Sequence, residues 1–269
     1  MTTQPTLFIP HGGGPCFFMD WTMGPADTWD KTAAYLKGLI DSLPQRPDAI
    51  LVITAHWEEP EFSVSVAPNP PMLYDYFGFP PHTYQLKFPA KGSAALSTRV
   101  VELMTEAGIP VRTDAKRGFD HGVFVPLLVA LPDADIPVVP MSVKTNLDPG
   151  DHLALGRALA PLRDENVLIV GSGMSYHNMR AFNTPRATPG SETFDAFLTN
   201  TVRNADPQAR WDGLLHWSEG PMARDAHPPA AEEHLLPLMV AAGAAGDAPG
   251  RRDFTDIVMS ARISAYRFG

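Results

Sequence analysis

Three segments of this chain run from an apolar, strand-like stretch into a histidine: TLFIP into His11, AILVITA into His56 and VLIVGSGMSY into His177. Imidazole is the commonest protein ligand for transition metals, and it changes charge near neutral pH. Ligands bind at the carboxyl ends of strands in an open α/β sheet, so three imidazoles delivered there are expected to converge on one site. The chemistry they suggest is that of a metal enzyme.

Further candidates lie on less regular ground. His121 sits in GFDHGVFVPL, expected just before a short helix, with Asp120 either orienting the ring or capping the helix and Gly122 permitting an unusual backbone angle. In AHPPAAEEHLLPL, Pro228 and Pro229 are expected to start a helix, and Glu232 and Glu233 to serve its dipole. His234 is costly on a face buried against a sheet unless it bonds something, such as a metal. His227 is a reserve ligand, and His82, His152 and His216 are assigned to surface or loop positions.

The elements that must position these residues follow from periodicity. Short apolar runs alternate with helical segments, which is α/β patterning: a single domain over residues 1–269, with a mostly parallel or mixed central sheet flanked by helices and the site at the strands' carboxyl ends. Strands are expected near Leu7–Pro10, Ile50–Ala55, Phe62–Val66, Pro110–Thr113, Ile136–Val143 and Val167–Gly171, with two more near Phe254–Met259 and Ile263–Phe268. Helices are expected over Thr28–Ser42, Ser93–Ala107, His152–Arg163, Ser191–Asn204 and Ala231–Ala242. Between Ala67 and Pro89, proline and aromatic residues are too dense for a regular helix or central strand, so this stretch reads as a surface or lid loop. Tyr74, Tyr76, Phe77 and Phe79 in it offer flat walls for an aromatic ring.

A formal charge of −9 with no basic cluster disfavours nucleic acid as a partner. Cys16 is the only cysteine, which excludes an intrachain disulfide, a thiolate zinc site and an iron–sulfur cluster within one chain and fits a reducing cytoplasm. The apolar run around Leu235–Ala245 is too short to span a bilayer, so a soluble cytoplasmic protein is expected.

Taken together, HGGGPCFF, ITAHWE, YDYFGFPP, GFDHGVFVPL, GSGMSYHN and EEHLLPL occur in the order found in the class III extradiol ring-cleaving dioxygenases. The chain resembles the protocatechuate dioxygenase catalytic-subunit type, and most closely its 4,5-DOPA dioxygenase-like branch. The resemblance implies a non-haem Fe(II) that binds a catechol and O2 and cleaves the ring beside the diol to a muconic semialdehyde, with Zn(II) a possible inactive occupant in purified protein. By motif match, His11, His56 and His234 are metal ligands, with Glu232 or Glu233 as alternatives to His234. His177 matches a position described either as a fourth ligand or as the active-site base, and His121 matches a second active-site histidine beside the oxygen site. The family's HGSP is here HGGGP, one residue longer, which places Cys16 near the pocket wall as a small buried hydrophobe or a thiol ligand. Relatives in this branch are monomers or homodimers.

Two other readings remain at this level. HGGG resembles an esterase oxyanion loop and GMSYH is one residue from a nucleophile elbow, which would make Ser175 a nucleophile with Asp225 and His227 or His234. A noncatalytic metal- or phenol-binding relative is the other. Arg180, Arg186 and Arg224 are candidates for pairing with a substrate carboxylate.

Overall fold

The computed structural model describes residues 2–269. In chain order its elements are β1 (Thr6–Pro10), α1 (Asp30–Lys37), β2 (Ala49–Glu59), β3 (Phe62–Ser65), α2 (Ala94–Glu106), β4 (Val111–Asp114), α3 (His121–Ala130), β5 (Val138–Lys144) and α4 (Pro149–Leu159). Then come β6 (Val167–Gly173), α5 (Ala187–Arg203), α6 (Pro207–Leu215), α7 (Ala223–Ala226), α8 (Leu236–Ala244), β7 (Gly250–Val258) and β8 (Ala261–Phe268). The strands form one mixed sheet in the order β4-β3-β5-β2-β6-β1-β8-β7. Its centre, β5-β2-β6-β1, is parallel, and the β7–β8 hairpin joins it antiparallel to β1.

Central parallel strands are buried on both faces, which is why AILVITA and VLIVGSG read as unbroken apolar or small runs. Alternate residues of β2 feed two cores. Leu51 and Ile53 pack with α2, α4 and α8, while Ile50 and Val52 pack with α1 and α3 on the other face. Glycine permits the closest approaches: a Cβ on Gly156 of α4 would lie 2.2 Å from the Val240 carbonyl oxygen of α8.

Some boundaries differ from sequence expectation, for reasons that bear on the site. Strand β2 continues through His56 to Glu59, with its register on β5 shifting between Ile53 and Glu58. Helix α8 begins at Leu236 rather than Ala231, so Glu232, Glu233 and His234 lie in turns before it. The Pro228–Pro229 pair opens only isolated turns, Ala231 N–H donating to the Pro228 carbonyl and Leu235 N–H to that of Glu232, while the His234 carbonyl accepts from Met174 N–H just after β6. Helices α6 and α7 were not anticipated, their apolar periods being too short to register.

Candidate metal centre

Each histidine is presented by a specific local device. His11 ends β1, its N–H donating to the Gly173 carbonyl at 3.2 Å as an extension of the β1–β6 ladder. The chain then turns through Gly12 and Gly14, both at positive φ, conformations that a side chain would strain. His56 sits within the register shift of β2, a bulge-like irregularity that re-aims a side chain at the strand end. His234 is held by strand β6. A Cβ on Gly173 would lie 2.1 Å from the His234 carbonyl oxygen, and one on Gly171 2.3 Å from that of Pro237, while Met174 N–H donates to the His234 carbonyl at 3.0 Å. The small residues of GSG therefore admit the backbone that carries His234.

His121 opens α3, where Asp120 is the N-cap, accepting from Val123 N–H. Asp120 also bonds Thr54 and Arg117 and does not touch the His121 ring, so of the two roles considered for it the cap applies. Gly122 has no positive φ; its lack of a Cβ leaves room for Thr54 Oγ1, 2.6 Å from where one would stand, and for the edge of His56. Pro126 within α3 has no N–H, which leaves the Gly122 carbonyl free. Ser172 of β6 donates its hydroxyl to that carbonyl and ties the helix start to the sheet.

Three imidazoles meet at Nε2. His56 Nε2 lies 3.3 Å from His11 Nε2 and 3.3 Å from His234 Nε2. A carbonyl can only accept, so His11 Nδ1 donates to the Gly12 oxygen at 2.8 Å, and His234 Nδ1 donates to Glu233 Oε1 at 2.8 Å. Both therefore present an Nε2 lone pair to His56, whose single proton can satisfy one of them and not the other. A divalent cation resolves the conflict: two nitrogens bound at about 2.1 Å, at tetrahedral to right angles, stand about 3.0–3.4 Å apart. Burial, reinforced by neighbouring histidine charge, holds all three well below the usual imidazole pKa, which keeps them neutral, as binding a metal would require.

Two more histidines flank the triad. The His177 ring stacks on His234 with centroids 3.3 Å apart, and His121 approaches His56 at 3.8 Å. Burial, then His121 charge, lowers His177 to a pKa of about 4. Asp75 was not singled out in the sequence. Its Oδ1 accepts from both the backbone N–H and Nδ1–H of His121 at 2.9 Å, and its Oδ2 lies 3.7 Å from His56 Nδ1. It stands in the YDYFGFPP motif, 46 residues before His121, where no local spacing signals the contact.

The remaining candidates lie outside the meeting point of the three Nε2 atoms, although Glu233 forms a second group of potential ligand atoms with His177 and His234. Glu233 contacts His234 at Nδ1, and Glu232 pairs with Arg224. Cys16 is buried and accepts from Gly13 N–H at 3.3 Å, its thiol pKa raised by burial, and it is in no potential ligand group. His227, the reserve ligand, is buried against Phe194 and Trp217 with Nε2 on the Ser175 carbonyl, and it is in no potential ligand group. Ser175 Oγ accepts from Ser264 N–H at 2.8 Å, and no imidazole nitrogen among the described residues hydrogen-bonds it, so the nucleophile reading lacks its base. His82 and His216 are exposed as expected, but His152 is buried, and its assignment to the surface is corrected. Its Nε2 accepts from Lys144 N–H while its Nδ1 donates to the Asp148 carbonyl, a pairing across two elements that spacing does not reveal.

A cavity of about 420 Å³ opens over His11, His56, His121 and His177. Tyr76, Phe77 and Phe79 of the proline-rich loop line it and Tyr74 does not, its hydroxyl donating to the Leu86 carbonyl. Arg180, Arg186 and Arg224 line a second cleft beyond His177.

The fold and site define an α/β protein with a buried three-histidine centre at the carboxyl edge of its parallel strands. Residues 5–266 match the catalytic LigB subunit of aromatic ring-opening dioxygenases, and the chain belongs to that family. It is 38% identical to Dioxygenase tasH of Hapsidospora irregularis over 292 aligned residues, covering 100% of this chain and 86% of that protein. It is 42% identical to a 4,5-DOPA dioxygenase extradiol of Beta vulgaris, covering 90% of this chain and 87% of the relative. The crystal structure of an uncharacterized Escherichia coli K12 protein superposes with a TM-score of 0.78 at 31% identity, covering 99% of this chain and 100% of that one. The resemblance read from the motifs, the α/β class and the mixed sheet are thereby established. Family and relatives make the protein a dioxygenase, metal-dependent and acting on an aromatic small molecule with O2. Among the described residues no helix is long and apolar enough to cross a membrane.

Proposed function

We propose that residues 1–269 form one catalytic domain of a non-haem iron(II) extradiol dioxygenase that opens a catechol ring to a muconic semialdehyde in the cytoplasm. The observation that carries this is the meeting of three Nε2 atoms at 3.3 Å spacings on the floor of an aromatic-walled cavity. His11, His56 and His234 hold the metal from one side. Iron(II) held there would supply the redox chemistry that lets a catechol react with O2, which zinc(II), lacking a redox change, would not. His177, kept neutral by its lowered pKa, takes the proton from a ring hydroxyl at Nε2, its Nδ1 facing Glu233 at 3.8 Å. His121, with Nδ1 held by Asp75, turns Nε2 to the cavity to bond oxygen and return a proton. Tyr76 and Phe79 exclude water and stack near the ring.

The test is anaerobic iron(II) loading followed by O2 uptake over a catechol panel, with the yellow ring-opened product as readout. His177→Ala is expected to slow turnover about 100-fold or more while retaining iron, whereas His234→Ala loses the iron. Absence of O2 uptake with every catechol in an iron-replete protein overturns the enzyme reading and leaves a binding protein. Loss of iron in His177→Ala makes that residue a ligand instead of a base.

A further inference from the structure

The cavity above the histidines is strongly one-sided in chemistry. Apart from the four imidazoles, no ionisable side chain other than the Tyr76 phenol lines it, and that hydroxyl is spent on the Thr83 carbonyl at 2.7 Å. Its walls are Trp21, Trp29, Phe79, Met174, Phe182 and Met259. The indole nitrogens of Trp21 and Trp29 are buried with no acceptor, two unpaired donors beneath walls that otherwise present ring surface. Five large hydrophobic side chains are exposed among the described residues, and three of them, Met23, Phe77 and Met179, stand at the mouth of this one cavity, Phe77 with 91% of its surface exposed. Exposed apolar side chains gathered around one opening mark a binding surface, whereas scattered ones do not.

The size of the cavity points the same way. An apolar space of about 150 Å³ accommodates a benzene ring, so 420 Å³ holds a catechol ring and leaves room for a substituent. A charged substituent would lose its hydration against these walls without gaining a partner. The arginines that could meet a carboxylate line the neighbouring cleft, where Arg186 is paired with Asp225, Arg224 with Glu232 and Glu233 adds negative charge, while Arg180 is exposed and in no ion pair among the described residues.

We propose that this site takes catechols carrying an uncharged apolar substituent, alkyl or aryl, that runs outward between Trp21 and Phe182 to the rim formed by Met23, Phe77 and Met179. The proposal rests on the extradiol reading for the placement of the diol and goes beyond it in naming the substrate class. Amino-acid catechols such as DOPA are disfavoured because their zwitterionic end would lie in the apolar arm.

The experiment compares catechol, 4-methyl-, 4-butyl- and 4-hexylcatechol with DOPA and 3,4-dihydroxyphenylacetate in two ways. One is steady-state O2 uptake by the iron(II) protein. The other is anaerobic equilibrium binding to the zinc(II)-loaded protein, followed by quenching of tryptophan fluorescence, which needs no turnover. Each methylene is expected to tighten binding about fourfold until the chain passes the rim, and kcat/KM to rise in parallel, with both acids at least tenfold poorer than 4-butylcatechol. Met179→Lys and Phe77→Ser, at exposed positions, are expected to flatten the chain-length series with unchanged thermal unfolding. Tightest binding by DOPA or the phenylacetate, or a Kd independent of chain length, overturns the proposal whether or not the protein turns catechols over. A graded Kd without O2 uptake sustains it and fails the catalytic reading alone.

Discussion

At the floor of the cavity the geometry is decided atom by atom. His11 and His234 each commit Nδ1 to an oxygen next door in sequence, Gly12 and Glu233, so their Nε2 lone pairs are fixed in direction before any metal arrives. Such outer partners set ring orientation and ligand basicity, and their loss commonly costs 10–100-fold in metal affinity or activity. Asp75 has the same relation to His121, gripping both its backbone and its ring while standing near His56. Burial raises the Asp75 pKa, but the His121 hydrogen bonds and charge outweigh it, and the carboxylate stays ionised at neutral pH. Asp75→Asn keeps the shape and removes the charge. It is expected to lower kcat by about 10- to 100-fold and to move the pH profile of kcat, with KM and iron content little changed. An unaltered pH profile with a proportional loss of folded protein would show that Asp75 only holds the loop.

At the scale of elements, strand β6 organises the site. Its glycines admit the segment before α8 on one face, and Ser172 between them secures α3 on the other by satisfying the carbonyl that Pro126 leaves open. His234 is thus placed by the absence of side chains on a strand some sixty residues earlier. Gly173→Ala puts a methyl group 2.1 Å from the His234 carbonyl oxygen, a contact that backbone must relieve by moving. The expected result is a loss of about 1–3 kcal/mol of stability together with iron that no longer survives dialysis. Gly156→Ala creates a similar clash between α4 and α8, 2.2 Å from Val240 O and away from the histidines. It is expected to destabilise the protein by a like amount while leaving iron stoichiometry intact. Equal metal loss in both variants would mean that general loosening empties the site.

The whole molecule carries a buried, neutral histidine that makes stability depend on pH. His152 joins the end of β5 to the start of α4, and burial depresses its pKa from 6.5 to about 4. Between these values the unfolded chain binds the proton more readily than the native state, so its contribution is complete above pH 6.5 and is lost as pH falls toward 4. The change amounts to roughly 3 kcal/mol. Urea unfolding at steps from pH 7.5 to 4 is expected to show this decline, and His152→Asn to start lower and fall less steeply over the same range. A variant with the full wild-type slope would assign the acid sensitivity to other groups.

Much was legible in the chain because the signals were local. Unbroken apolar runs identify strands buried on both faces, and His11, His56 and His177 follow such runs directly, so the α/β class and the shared location of these side chains follow from patterning. The order of six short motifs carried the family. Tertiary structure alone decided what depends on contacts between distant segments. It placed His234 in a turn held against β6, joined Asp75 to His121, buried His152 between two elements, and separated the apolar arm from the arginine cleft. None of these has a period or a spacing, since each is set by which backbone comes close to which, and that is settled only when the sheet and its covering helices pack.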